Sequence, residues 1–199
     1  MRSTIKYTLL ALAIIVPASG AWTVANEVLV LQPQSRLWID GTSSIRSFSC
    51  KAGEVSAAIE ASGPNAIAQL LIGDKGVKTV HVTVPAEQLD CGNGTMNEHM
   101  RKAIKLAEHK SIEFNLTDYD VAKNSDGVAG TINGTLLLGG VTKPITLKAE
   151  GKPEGGMLHI TGVYELNMTE YGLKPPTLMF GRIKVGQTVK VNYDLLLKS

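Results

Sequence analysis

Two cysteines, four histidines and a set of cations beside a proline pair are the residues of this chain whose types suit chemistry. Cys50 and Cys91 could bridge or, as free thiols, act as nucleophiles. His81, His99, His109 and His159 fall in different segments, without the H-x-H or H-E-x-x-H spacing that brings two imidazoles onto one ion. No G-x-S-x-G elbow and no local cysteine–histidine arrangement is present to activate a nucleophile. The sequence therefore predicts no catalytic residue, no metal ligand and no cofactor, and each histidine reads as a surface or strand residue. The cations are Lys174, Arg182 and Lys184, which flank the apolar stretch from Tyr171 to Phe180. Cations so placed could receive an anionic headgroup or a diphosphate. Taken singly, each reads first as a solvated surface charge.

What the cysteines do depends on the compartment. Arg2 and Lys6 precede an uncharged apolar stretch from Tyr7 to Val16, and Pro17, Ser19, Gly20 and Ala21 follow. Charge, apolar run and small residues in that order are the pattern of a cleavable export signal. The run is shorter than the roughly 20 residues of a spanning helix, so residues 1–21 are expected to be removed, with Ala25 as an alternative cleavage point. A soluble exported product is expected. Removal takes two of the 20 basic residues and leaves them equal in number to the 18 acidic ones. A neutral chain with only 5% aromatic residues lacks the basic stripe and stacking surfaces that nucleic-acid binding demands. In an oxidising compartment an even cysteine count is usually paired. A Cys50–Cys91 disulfide is expected, with two buried free thiols as the alternative.

The elements that must position these residues are short alternating strands. Val80, Val82 and Val84 alternate with polar neighbours, as do Ile112, Phe114 and Leu116, then Ile145, Leu147 and Ala149, and finally Val189, Val191, Tyr193, Leu195 and Leu197. Ile132, Leu136 and Leu138 share a parity with Gly130 and Gly134. This two-residue period gives each strand one apolar face. Further strands are expected at 36–40, 43–50 and 53–62, for eight to ten in all, enough to close into a barrel or fold as a sandwich. Turn clusters at Gly73–Gly76, Asn124–Gly127 and Pro153–Gly156 read as hairpin connections. Strand glycines 130, 134 and 162 fit bends or bulges. One segment breaks the pattern: Thr95 to His109 carries Met96, Met100, Ala103 and Ala107 at helical spacing, with Thr95 and Glu98 as a capping box. Its apolar stripe is expected to cover one barrel end or flank. Tyr171 to Phe180 holds Leu173, Leu178 and Met179 around Pro175 and Pro176, which forbid a central strand, and reads as a loop at the barrel mouth. The N-x-[ST] matches at Asn93, Asn115, Asn133 and Asn167 read as turn and strand asparagines.

Three ordered stretches carry a family resemblance: LWIDGTSSIRSF at 37–48, GTLLLGGVTKPITL at 134–147, and NMTEYGLKPPTLMFGRIKVGQTVKVNYDLLL at 167–197. Together they resemble the YceI family of lipocalin-like proteins. The resemblance implies an all-β domain over residues 30–198, an extended antiparallel barrel of about eight strands with one helix at 95–109. It further implies a periplasmic protein whose apolar interior takes an amphipathic lipid, such as a polyisoprenoid, a quinone-like molecule or a fatty-acid derivative, and the missing catalytic motifs make a non-enzymatic role the expectation. A transient membrane contact is compatible with that role. Alternation would supply the wall from Ile112, Phe114, Leu116, Leu136, Leu138, Ile145, Leu147, Val191, Tyr193 and Leu195. The alternative is that these side chains fill the barrel, leaving a stress-related or interaction module without cargo.

Overall fold

A computed structural model describes residues 27–199. The expected signal at residues 1–21 and both cleavage points lie outside the described residues. Strands form where β-branched and aromatic residues alternate with polar ones, as β1 (Val28–Leu31), β2 (Arg36–Thr42), β3 (Ser47–Ala52), β4 (Ser56–Ala61), β5 (Val77–Pro85), β6 (Leu89–Asp90), β7 (Ser111–Lys123), β8 (Val128–Leu138), β9 (Val141–Glu154), β10 (Met157–Asn167), β11 (Thr177–Leu178), β12 (Ile183–Lys184) and β13 (Thr188–Lys198). Two helices interrupt them, α1 (Ala66–Ile72) and α2 (Gly94–Ala103). The main sheet runs β1-β4-β5-β7-β8-β9-β10-β13 and closes by pairing β13 with β1, every contact antiparallel. This is the expected closed barrel.

The hairpins follow local turn chemistry. Gly139–Gly140 and Gly155–Gly156 each form a two-residue turn with positive φ at both positions, 56° and 81°, then 56° and 79°. Such turns match the strand twist and need residues without a Cβ penalty. The second turn is thus narrower than expected, since Pro153 and Glu154 stay in β9.

β13 serves two strands on one edge. Lys190–Asp194 pair with β2, and Leu197 and Lys198 pair with β1. From β1 the wall continues through β4 to β5, whereas from β2 it continues through β3 to the two-residue β6. Among the described residues β6 pairs only with β3, so the wall forks, and α2 follows directly after the free prong.

Two sequence expectations change here. The Gly73–Gly76 cluster is not a hairpin turn; it follows α1, a seven-residue helix too short to show a convincing period, with Gly73 at φ 91° closing it. The second helix is shorter than 95–109. It starts at Gly94, with the Asn93 side chain rather than Thr95 accepting from the Met96 N–H at 3.1 Å. It ends after Ala103, and the chain reverses through Lys105 at φ 58°. Neither Pro nor Gly marks that end, so periodicity alone overran it.

Each end of the barrel has its own packed layer. At the α1 end Ala66 and Leu70 meet Leu29, Ile59, Tyr119, Leu158 and Leu197. At the other end Leu138, Leu166, Met168, Tyr171, Leu173 and Val189 pack together. Leu29 is fully buried, and Leu29→Ala is expected to cost about 2–5 kcal/mol in chemical denaturation, the usual range for a core leucine. A loss below about 1 kcal/mol would show that this end is not a packed plug.

Candidate ligand-binding cavity

Between the two packed layers the barrel is hollow, with a cavity of about 490 Å³. All ten residues expected to form the wall line it. The pairing register keeps their parity around the ring, for example Phe114 opposite Leu136 and Leu147 opposite Ile132. The wall also includes Phe48, Ala57, Val80 and Val82, together with Met96, Met100 and Ala103 of α2. The helical stripe at 96, 100 and 103 therefore faces the hollow, while Ala107 is exposed beyond the helix.

Three glycines shape this interior. A β-carbon at Gly41, Gly134 or Gly162 would overlap the ring of Phe48, Phe114 or Tyr193 respectively. Each aromatic ring lies flat across a gap in the neighbouring strand, which lets large side chains line a curved wall without filling the centre. The Tyr193 hydroxyl donates to the Lys148 carbonyl at 2.5 Å, and burial pushes its phenol up to about 12. The unfolded phenol ionises near 10. Stability from this group is complete below pH 10 and lost as pH rises through about 12. Denaturation midpoints are expected to fall across that window, and less steeply in Tyr193→Phe; equal slopes would remove Tyr193 as the cause.

Tyrosines aside, polarity is confined to one end. Apart from tyrosines, the polar side chains on the wall are Ser43, Arg46 and His99. Arg46 lies at the turn between β2 and β3, and its Nη2 approaches Met96 Sδ of α2 at 3.6 Å. Cys50 and Cys91 are disulfide-bonded across 41 residues and also line the cavity. The bridge thus ties β3 to the residues entering α2. Other ties on α2 are polar: the Asn97 amide donates to Asp90 at 2.7 Å, the Cys91 N–H donates to Asn97 Oδ1 at 2.7 Å, and Arg101 donates to the Glu87 carbonyl at 3.3 Å. No residue of α2 is fully buried.

The mouth segment separates into three parts. Leu173 and Leu178 line the cavity, and Tyr171 is buried in the packed layer beside it. Met179 and Phe180 stand in solvent at the tip of the small β11–β12 hairpin, which is separate from the barrel sheet, as the two prolines require. The three headgroup candidates also part company. Lys174 sits with Lys102, Lys105 and His99 around a shallow recess that shares His99, Ala103 and Pro176 with the cavity wall. Arg182 and Lys184 belong to the hairpin. The sequence reading missed Lys102 and Lys105, although their position beside the Met100–Ala103 stripe was the available signal.

The histidines do not converge. His81 is held by Asn115 and Thr83 on the outer face. His159 lies between Glu154, 2.7 Å from Nδ1, and Asp194, 2.6 Å from Nε2, so its carboxylates approach opposite nitrogens rather than one point. Burial pushes the Asp194 carboxyl up, but hydrogen bonds from Arg36 and His159 outweigh it and hold it below the usual carboxylate range. Among the described residues no group of three or more His, Cys, Asp or Glu is placed to hold a metal ion.

An eight-stranded antiparallel barrel closed around an apolar hollow belongs to the lipocalin-like class of barrels. More particularly, the chain belongs to the YceI family, whose YceI-like domain matches residues 38–197. A UPF0312 protein of Serratia proteamaculans is 34% identical over 77 residues, covering 39% of this chain and 39% of that protein. The chain thus spans about two fifths of the length of this curated relative. Among solved structures, BcnA of Burkholderia cenocepacia is 12% identical with a TM-score of 0.61, over 81% of this chain and 95% of that one. A polyisoprenoid binding domain from Saccharophagus degradans is 13% identical with a TM-score of 0.60, over 86% and 98%. At these identities the structural likeness is one of fold.

Proposed function

We propose that the barrel binds a long apolar chain with a polar head, a polyisoprenoid, quinone-like lipid or fatty-acid derivative, and carries it in the periplasm without chemical change. The observation that carries this reading is the hollow itself: side chains that could have met at the axis leave about 490 Å³ open, within the range of sites for small ligands. That supports a carrier over a filled barrel. Each buried methylene contributes about 0.8 kcal/mol, so one prenyl unit gives about 4 kcal/mol gross, and a few outweigh the ordering of a flexible chain. The polar end sets the direction. The tail would lie towards α1, among Ile59, Leu70 and Leu197, and the head would face Ser43, Arg46 and His99. Lys102, Lys105 and Lys174 stand just outside to meet an anionic head. The name of the Saccharophagus degradans neighbour points to the same ligand class, and the disulfide suits an oxidising compartment.

Mass spectrometry of organic extracts from gently purified protein tests the reading. One lipid per chain is expected in the extract, and the emptied protein should take it back. A lipid-free extract together with failure to bind polyprenols, quinones and fatty acids would end the carrier reading.

A further inference from the structure

We propose that the α2 end of the barrel docks on an anionic lipid bilayer, with Ile45, Met179 and Phe180 entering the interface and Arg46, Arg182 and Lys184 meeting lipid phosphates. Phe180 is completely exposed, and Met179 and Ile45 are each 65% exposed. These side chains come from two loops that are bonded together. The Ser44 N–H donates to the Lys184 carbonyl at 2.9 Å, the Lys184 N–H donates to Ser44 Oγ at 3.2 Å, and Ser43 bridges Val185. The apolar tips therefore form one surface rather than separate accidents.

Backbone conformation holds them outward. Met179 and Phe180 have φ of 49° and 57°, followed by Gly181 at 87°. Two successive non-glycine residues in the left-handed region are uncommon, and such positions cluster where function over-determines the backbone. Neither tip is buried anywhere in the described fold, so packing does not account for the arrangement.

Charge selects the partner. The stretches 41–51 and 171–190 contain no acidic residue, whereas the loops carry Arg46, Arg182 and Lys184. Aromatic and apolar tips ringed by cations match an interface whose outer layer is anionic phosphate and whose inner layer is acyl chain. The exposed valines of β1 show the contrast. Val28 pairs with Glu60 and follows Glu27, a setting that a negative surface repels. Docking would turn the polar end of the cavity, marked by Ser43 and Arg46, towards the lipid. The proposal stands on the loops and does not require any particular cargo.

Co-sedimentation with vesicles decides it, comparing phosphatidylcholine alone with phosphatidylcholine containing about one third phosphatidylglycerol. The parent protein is expected to bind the anionic vesicles, to bind neutral ones at least about tenfold more weakly, and to release as salt rises. Met179→Ser with Phe180→Ser, and separately Arg182→Ser with Lys184→Ser, should each weaken anionic binding on the order of tenfold with the thermal midpoint unchanged. The N-terminal apolar run is common to parent and variants, so the difference reports the loops. Equal binding to both vesicle types, or variants that bind like the parent, would overturn the proposal. So would a parent dimer in light scattering that Phe180→Ser dissociates while vesicle binding is unaltered, since the tip would then serve a second copy.

Discussion

Leu147→Trp is expected to weaken binding of a long-chain fluorescent lipid by about 100-fold or more while leaving the barrel folded. Leu147 faces the hollow from the middle of β9, opposite Ile132, and is not fully buried even though it points inward. In a filled core, a larger side chain would force strained rotamers and cost about 1–3 kcal/mol. Here the indole has space to enter, and the space it takes is the space a ligand chain would use. A 100-fold loss corresponds to about 2.7 kcal/mol, which a few displaced methylenes supply at about 0.8 kcal/mol each. Titration of the delipidated protein gives the affinity, and a thermal melt of the same samples gives the stability. Unchanged affinity with a folded variant would place the ligand elsewhere. A collapse in stability with no cavity-dependent binding in the parent would favour a core that tolerates no insertion.

Cys50→Ser with Cys91→Ser is expected to lower stability by about 4 kcal/mol, from closure of the loop between cysteines 41 positions apart in sequence. For a domain of this size each kcal/mol shifts the melting midpoint by about 2–4 °C, so the fall should be on the order of 10 °C. The effect should also be uneven in space. α2 rests on polar contacts to Asp90, Cys91 and Glu87 and has no fully buried residue. Without the bridge its amides should exchange faster than those of β7 to β10, and trypsin should cut first at Arg101 or Lys102. A loss below about 1 kcal/mol with unaltered α2 exchange would show that the bridge constrains neither the chain nor the helix.

Much of this was legible in the residues because strand parity is a strict rule. Once Ile112, Phe114 and Leu116 share a face, register carries that face round to Leu136, Leu147 and Val191. The cysteine pairing was readable from number and expected compartment. What was not legible came from three-dimensional closure. No local pattern announces that β13 serves both β1 and β2, because the choice depends on where a distant strand ends. The end of α2 at Ala103 was hidden by Ala107, which keeps the helical spacing after the chain has reversed at Lys105. Nor could periodicity separate hollow from filled. Phe48, Phe114 and Tyr193 lie flat over Gly41, Gly134 and Gly162, and only the cross-strand geometry shows those rings hugging the wall rather than crossing it.

The forked wall has a consequence for rates. Towards the α1 end β13, β1, β4 and β5 are joined in turn by ladder hydrogen bonds, and opening that side means breaking a sheet. At the fork, β6 has no ladder on its far side among the described residues, and α2 is held there by the disulfide and a few polar contacts. Spreading that seam is a local fluctuation, not an unfolding event. A molecule in the hollow would therefore exchange on the timescale of a hinged flap, and its dwell time could be tuned by residues such as Asn97 and Arg101 without altering how tightly the chamber holds it.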